Sequence, residues 1–495
     1  MGIVFRQSVK TTIVTFTGAG LGALIQLASP SLMGKAELGL INNITYLAAT
    51  VQILVMMGTP VLIAVYTQRY DYEDERRKTL LTLGMLITVI GSILFTLIFL
   101  LLKEKILGIY TPADQVLINK YYHYVPIVVF MMAMVTVLDH YLVAHVKIAQ
   151  SAFAREIVLR IVNLGLLGLI FTGFISFSQY ITGNVLMYAV PLILLFIMAS
   201  RTRGFGLSLN LKAFSTAEYK DMVHFSWYHL LAGITMYALG YIDILMLAPL
   251  DTNGLEAAAV YSIAAFIASF MFMPYRAMAT ASSPILNEAY INKDMDKVHD
   301  LFSRAGVNIF IAGVGMFVVI GVNMDNAVAI LPAGYEPVKY LVLILMLGKL
   351  VNMATGLNNE LISISKYYKF NFRLSFLLLL VVVVFDRIYI PRYGMYGAAW
   401  VASGSLVIYN LAKMTFLYMK LGLKPFTSKT WLIPVAGLAA ALVGYFWPYL
   451  LNPYIDAFAR SSATMITYLI ALIYLKPSVD LSAYLSSIRK NKKLF

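Results

Sequence analysis

The sequence contains no cysteine, which excludes disulfides, thiolate metal sites, iron–sulfur clusters and cysteine nucleophiles. Charge is also scarce. Asp, Glu, Lys and Arg make up 13% of the 495 residues, against roughly 25% in a soluble domain, so a fully water-facing exterior is excluded. No G-x-x-x-x-G-K-[ST] occurs, so there is no P-loop to bind ATP, and an ion gradient or product withdrawal must drive any transport. The amino end lacks a cleavable signal pattern. No Ala-x-Ala follows the first apolar run, which continues uncharged from Thr11 to Gly34 and is expected to remain as a membrane span. Long connectors are missing too. The longest expected outside loop is 103–120 and the longest inside loop 201–222, which leaves no room for a soluble catalytic domain.

What is present is apolar surface: 60% of residues are hydrophobic and the mean hydropathy is +0.79. From Ile161 to Ser200 no Asp, Glu, Lys or Arg occurs, and a bilayer core needs only about 20 apolar residues per helix, so this run must cross twice. Reading apolar runs between Gly, Pro, Asn and charge clusters gives fourteen spans. They are 9–29, 40–66, 79–102, 121–145, 156–176, 180–200, 223–248, 257–284, 305–324, 338–363, 370–390, 395–419, 430–450 and 457–476. The net charge of +14 sits in the connectors rather than in a basic domain, so no nucleic-acid partner is expected. With both termini cytoplasmic, 27 Lys and Arg fall on inside segments, counting Lys147, Arg155 and Arg160 in one and Arg489, Lys490, Lys492 and Lys493 in the tail. Eight fall outside, Arg460 among them. That asymmetry follows the positive-inside rule and favours an even span count.

The 201–222 connector divides the chain into an expected N-lobe (1–210, helices 1–6), a C-lobe (211–425, helices 7–12) and two further helices with a basic tail (426–495). A weak internal echo accompanies this division. Span two ends after Pro60 and span eight carries Pro274, as a parallel repeat would require, although proline is frequent in membrane helices anyway.

Ionisable groups deep in a span are costly, so they face a cavity or a partner. Lys349 lies roughly 16 Å along its helix from Val338, near the midplane. Asn352, Gly356, Asn359 and Ser363 follow at helical spacing, which makes a polar stripe of cavity-lining type or a set of interhelical amide bonds. Arg276 follows Pro274 by two residues. A kink with a guanidinium fork suits phosphate oxygens, and snorkelling to the interface is the plainer reading. Asp139, His140 and Asp243 are candidates for charge compensation or ion coupling, while Glu360, Lys413 and Asp386 with Arg387 lie near helix ends, where a local ion pair accounts for them. The His pairs are spaced by five, which misses the i, i+4 metal pattern, so no metal or cofactor is expected.

Three stretches carry a family likeness: "LMGKAELGLINN" before span two, "LPAGYEPVKYLVLIL" at the start of span ten, and "IPRYGMYGAAWVASG" between spans eleven and twelve. In the last, Pro391, Gly394, Gly397, Ala398 and Ala399 match a Pro-x-x-Gly-x-x-Gly-Ala-Ala pattern. The chain resembles the polysaccharide and O-antigen flippases (Wzx-like transporters) of the multidrug/oligosaccharidyl-lipid/polysaccharide (MOP) exporter superfamily. The resemblance implies an all-α integral membrane protein with two six-helix lobes around a central cavity and two C-terminal helices. It implies an undecaprenyl-diphosphate-linked oligosaccharide moved from the cytoplasmic to the periplasmic leaflet of the bacterial inner membrane by alternating access. Membrane lipids, a polysaccharide polymerase and glycosyltransferases are the partners it implies. Relatives often place several basic residues in the first lobe, where this sequence offers few candidates by spacing. A cation- or proton-coupled multidrug antiporter is the nearest alternative, but it calls for deep carboxylates, and the deepest groups here are basic. A membrane-embedded glycan polymerase or transferase would need acidic or His groups on a sizeable loop.

Overall fold

The computed structural model describes residues 3–478 and 480, so Arg489, Lys490, Lys492 and Lys493 of the expected basic tail lie outside the described residues. Among the described residues the regular elements are helices and no strand occurs, which is how a chain in lipid satisfies its backbone groups within each segment. Helix is present at each of the fourteen expected positions. Ten helices, or eleven with one bent pair, are long and apolar enough to cross a membrane. The gap between fourteen and eleven has three sources. Leu159–Phe171 is 13 residues long and Leu432–Tyr445 is 14, while Tyr368–Leu421 runs as one helical stretch of 54 residues.

That long stretch is a hairpin. Gly394 has φ 56° and ψ −142°, a conformation outside the helical region that an L side chain disfavours. Phe370 stacks on Phe416 with ring centroids 3.8 Å apart, and the Ser375 and Tyr409 hydroxyls are 2.7 Å apart. In a straight helix these pairs would be separated by about 50 Å or more. A Cβ on Gly397 would lie 2.6 Å from the Tyr389 carbonyl oxygen. The two glycines of the Pro-x-x-Gly-x-x-Gly-Ala-Ala stretch thus have separate tasks: Gly394 turns the chain, and Gly397 lets the two arms touch.

Two compact units are present, Met1–Ala259 and Val260–Phe495. In the first, the Lys35–Met56 helix packs against Tyr124–Ala144, Glu75–Leu101 and Thr216–Leu250. Thr216–Leu250, expected to open the C-lobe, falls within this unit. The preceding connector is pinned to it, because Ser208 Oγ and Asn210 Nδ2 donate to the Glu75 carboxylate at 2.8 and 2.9 Å. In the second unit, Met295–Val322 packs against Val338–Ala354, Leu432–Tyr445 and Pro453–Leu475, with Val314, Val318, Ile433, Ala436 and Tyr468 in its core.

Spans two and eight are both interrupted. Lys35–Met56 ends at Met57 (φ 49°) and Gly58 (φ 76°), and Thr59–Tyr66 restarts with Pro60 in its first turn. Gly254–Ser269 gives way to the 3-10 turn Phe270–Phe272, and Met273–Ile291 restarts with Pro274 in its first turn. Proline fits there because its missing N–H would have no helical partner. Gly58 also allows a close approach, since a Cβ there would lie 2.2 Å from the Ser226 carbonyl oxygen. Gly58→Ala is therefore expected to destabilise the first unit by about 2 kcal/mol or more, from the positive φ and from overpacking together. A drop of several degrees in the unfolding midpoint of the purified protein in detergent would be the readout; an unchanged midpoint would contradict the close packing at this break.

Candidate functional site

In the second unit, Val338–Ala354 begins at the expected residue and carries Lys349, half-buried, five residues before its end. The expected continuous stripe is broken. Gly356 takes φ 65°, and Asn358–Ile364 departs by 51° from the first half. The break parts Lys349 and Asn352 from Asn359 and Ser363. The Lys349 ammonium sits 5.2 Å from the centre of the Phe272 ring, a cation–π distance. The carbonyl oxygen of the half-buried Asn352 side chain is enclosed and has no hydrogen-bond partner among the described residues. Burying such an acceptor unsatisfied is costly, so it marks a place where a ligand or water hydroxyl is wanted.

Beyond the break the polar groups bond to one another. The exposed Asn359 side chain accepts from Lys413 Nζ at 2.8 Å and from Asn371 Nδ2 at 3.1 Å. Asn371 also donates to Ser363 Oγ at 3.0 Å. The Tyr275 hydroxyl donates to the Glu360 carboxylate, 3.0 Å from each oxygen. Lys413, expected to be accounted for by solvation or a local pair near a helix end, is 1% exposed and lies 4.0 Å from the Tyr409 ring centre. Its burial corrects that expectation. The signal for it is the i, i+4 Tyr409–Lys413 spacing, which puts ring and ammonium on one helix face. Asn359 thus belongs to a hydrogen-bonded network beyond the break, apart from Lys349 and Asn352 before it.

Arg276 is exposed in the first turn of Met273–Ile291. Its neighbours Phe272 and Tyr275 reach Lys349 and Glu360, so the kink at Pro274 brings the Arg276 turn against the helix that bears Lys349. Three basic residues, Arg276, Lys349 and Lys413, and one carboxylate, Glu360, lie on these packed segments. The balance suits an anion.

The first unit holds cations that the sequence reading placed in a cytoplasmic connector. Helix starts at Ile148, passes through a π-helical turn at Phe153–Val158 and continues as Leu159–Phe171. Arg155 and Arg160 are therefore roughly 10 and 18 Å inside a helix rather than in a loop. Arg160 NH2 pairs with Glu156 Oε2 at 2.9 Å. Its guanidinium packs where Gly18 and Gly22 of Ile3–Leu32 have no side chain, since a Cβ on Gly18 would lie 2.5 Å from NH1. Arg160 NH1 is enclosed and without a hydrogen-bond partner among the described residues. Charge counting misjudged this segment because it treats each ion as a solvated stop, while Glu156→Arg160 at i, i+4 is a helix-compatible pair.

Asp139 is buried, accepts a hydrogen bond from Ser151 Oγ, and lies 3.4 Å from Arg155 Nε. Its neighbour His140 is 3.8 Å away through Nδ1, but that nitrogen is only 2.9 Å from the Thr136 carbonyl oxygen. A paired Asp139 ties Tyr124–Ala144 to the π-helical turn. Asp243 is half-buried on Thr216–Leu250. Just beyond Tyr124–Ala144, His145 Nδ1 lies 2.8 Å from the Tyr141 carbonyl and Nε2 lies 2.9 Å from Arg77 NH2. Burial, with the Arg77 charge beside it, pushes the His145 pKa down. A neutral ring therefore donates through Nδ1 and accepts from Arg77 through Nε2. No group of three His, Asp or Glu among the described residues could hold a metal ion.

By sequence, neither a family model nor a curated protein matches the chain. By structure, it is similar to the lipid II flippase MurJ in an inward closed conformation, with a TM-score of 0.75 at 13% identity over 94% of this chain and 98% of that one. It is similar as well to an inward-facing multidrug resistance MATE family transporter of the MOP superfamily, with a TM-score of 0.66 at 16% identity over 84% and 98% of the two chains. A MOP superfamily transporter from Pyrococcus furiosus, described by the reverse polarity of its binding pocket, gives 0.56 at 15% identity over 84% and 96%. The chain has the all-helical fold of MOP-superfamily transporters.

Proposed function

We propose that this protein is a flippase that carries an undecaprenyl-diphosphate-linked oligosaccharide from the cytoplasmic to the periplasmic leaflet by alternating access, for surface polysaccharide synthesis. The observation that carries this reading is the half-buried Lys349, five residues before the end of Val338–Ala354 and its 51° break, with the enclosed Asn352 oxygen three residues on lacking a hydrogen-bond partner among the described residues. A basic residue inside a spanning segment is costly to insert and marks a substrate path, and a diphosphate has the charge to use it. Arg155 and Arg160 are basic groups within the first unit, each paired with a carboxylate, Asp139 and Glu156. The likeness to a lipid II flippase over 94% of the chain agrees with a lipid-linked cargo.

The likeness to MATE transporters supports a second reading, a cation- or proton-coupled multidrug antiporter. Against it, Asp139 is engaged by Ser151 and Arg155, and Glu360 by Tyr275. Carboxylates held in this way are poorly placed to receive a cationic drug. Reconstitution into proteoliposomes with a labelled lipid-linked oligosaccharide decides between the two. The flippase reading expects the label to become accessible in the opposite leaflet only when the protein is present. Uptake of cationic drugs under an imposed ion gradient, with no movement of the lipid, would favour the antiporter.

A further inference from the structure

One cationic cavity takes no part in the proposed transport. In the second unit, the start of Met295–Val322, the 422–431 connector and the C-terminal end of Pro453–Leu475 enclose a space of about 340 Å³. Arg304, Lys429 and Lys476 line it together with the hydroxyls of Ser303, Thr427, Ser428 and Ser478, and no carboxylate is among the described lining residues. The volume falls within the range of small-ligand sites. Arg304 is already engaged, its Nε donating to Asp300 Oδ1 at 2.7 Å and its NH1 lying 3.4 Å from Asp480 Oδ1. Lys429 and Lys476 are both exposed, and neither forms an ion pair among the described residues.

Lys476 caps its helix with φ 48°, its N–H donating to the Leu472 carbonyl oxygen. A cation at a helix C-terminus is favoured by the helix dipole, which accounts for one lysine. It does not account for a second lysine and four hydroxyls around the same space. The surroundings say where in the membrane this space sits. Trp431 and Tyr474 close by are 65% and 81% exposed, and exposed aromatic rings at helix ends mark the headgroup level of a bilayer. We propose that this cavity binds the phosphate of an anionic phospholipid headgroup, with Lys429 and Lys476 as charged donors and Thr427 and Ser428 as neutral ones. Basic pockets between spanning helices at the charged face of a membrane have the chemistry to hold such headgroups. The inference does not depend on the identity of the transported cargo.

The test uses the full-length protein in detergent and three probes: short-chain phosphatidylglycerol, phosphatidylcholine and inorganic phosphate. Phosphatidylglycerol should bind measurably more tightly than the other two. The K429Q/K476Q double variant should bind it roughly 25-fold more weakly, as expected for two lysines acting near a membrane surface. If inorganic phosphate binds as tightly as phosphatidylglycerol, the ligand is free phosphate and the lipid assignment is overturned. Equal binding of phosphatidylglycerol to wild type and double variant, or equal binding of phosphatidylcholine, would overturn the site itself. Should the double variant not fold, wild type alone still decides: phosphatidylglycerol affinity must fall steeply with added salt, and a flat salt series contradicts the proposal.

Discussion

Lys349→Ala is expected to lower translocation of a lipid-linked diphosphate at least tenfold while the protein still inserts and folds. A hydrogen bond to a charged group contributes about 1.5–3 kcal/mol, which corresponds to roughly a 10- to 150-fold loss when the donor is removed. The loss should fall on transport rather than stability, because Lys349 is half-buried and alanine removes a costly charge from a membrane helix. Lys349→Arg keeps the charge and should retain partial activity, its fork displaced from where the ammonium sits. Arg276→Ala should reduce translocation by a smaller factor, because Arg276 is exposed and an exposed ionic contact contributes less than an enclosed one. Complementation of a flippase-deficient strain, with membrane levels of each variant measured in parallel, separates loss of transport from loss of protein. Wild-type complementation by both alanine variants would contradict the proposed role of these cations.

Arg460→Ala is expected to have the largest effect on stability. The sequence reading placed Arg460 among the outside connector charges, and the structure corrects this. It lies inside Pro453–Leu475 at 8% exposure, four residues from a fully buried Asp456. Arg460 Nε and NH2 donate to the two Asp456 oxygens at 2.9 and 3.2 Å, and NH1 donates to the Gly444 carbonyl oxygen at 2.7 Å. Asp456 also accepts from Asn326 Nδ2 at 2.6 Å and from the Leu450 N–H at 3.0 Å. The network pins three segments together, so removing one partner leaves a buried carboxylate without its counter-ion at a cost of about 3–5 kcal/mol. Replacing both, as in Asp456→Leu with Arg460→Leu, should cost less than Arg460→Ala alone, because no uncompensated charge remains. Unfolding midpoints in detergent measure the difference. A single variant more stable than the double one would show that the pair is not coupled.

Helix positions were legible because lipid imposes long apolar runs, and Pro, Gly and charge clusters punctuate them. The Pro391–Ala399 stretch even announced its hairpin, since Gly394 supplies the one backbone conformation that turns the chain. What hid from the sequence were charges that carry their own partners. Arg160 with Glu156, Arg460 with Asp456 and Lys413 with Tyr409 all lie at i, i+4, and a charge count reads such pairs as helix ends. The interruption at Gly356 was equally opaque. A stripe at helical spacing assumes a continuous helix, and the 51° bend divides Lys349 and Asn352 from Asn359. The Pro60 and Pro274 echo gained meaning only from the backbone, where each proline restarts an interrupted helix.

The most direct test is chemical protection of the Lys349 amine. The purified protein is treated with an amine-reactive label, with and without an undecaprenyl-diphosphate-linked oligosaccharide, and modification at that residue is read by mass spectrometry. The account predicts that the lipid-linked diphosphate slows labelling of Lys349 while a cationic drug does not. Equal labelling in the presence and absence of the lipid, or protection by the drug alone, would contradict it.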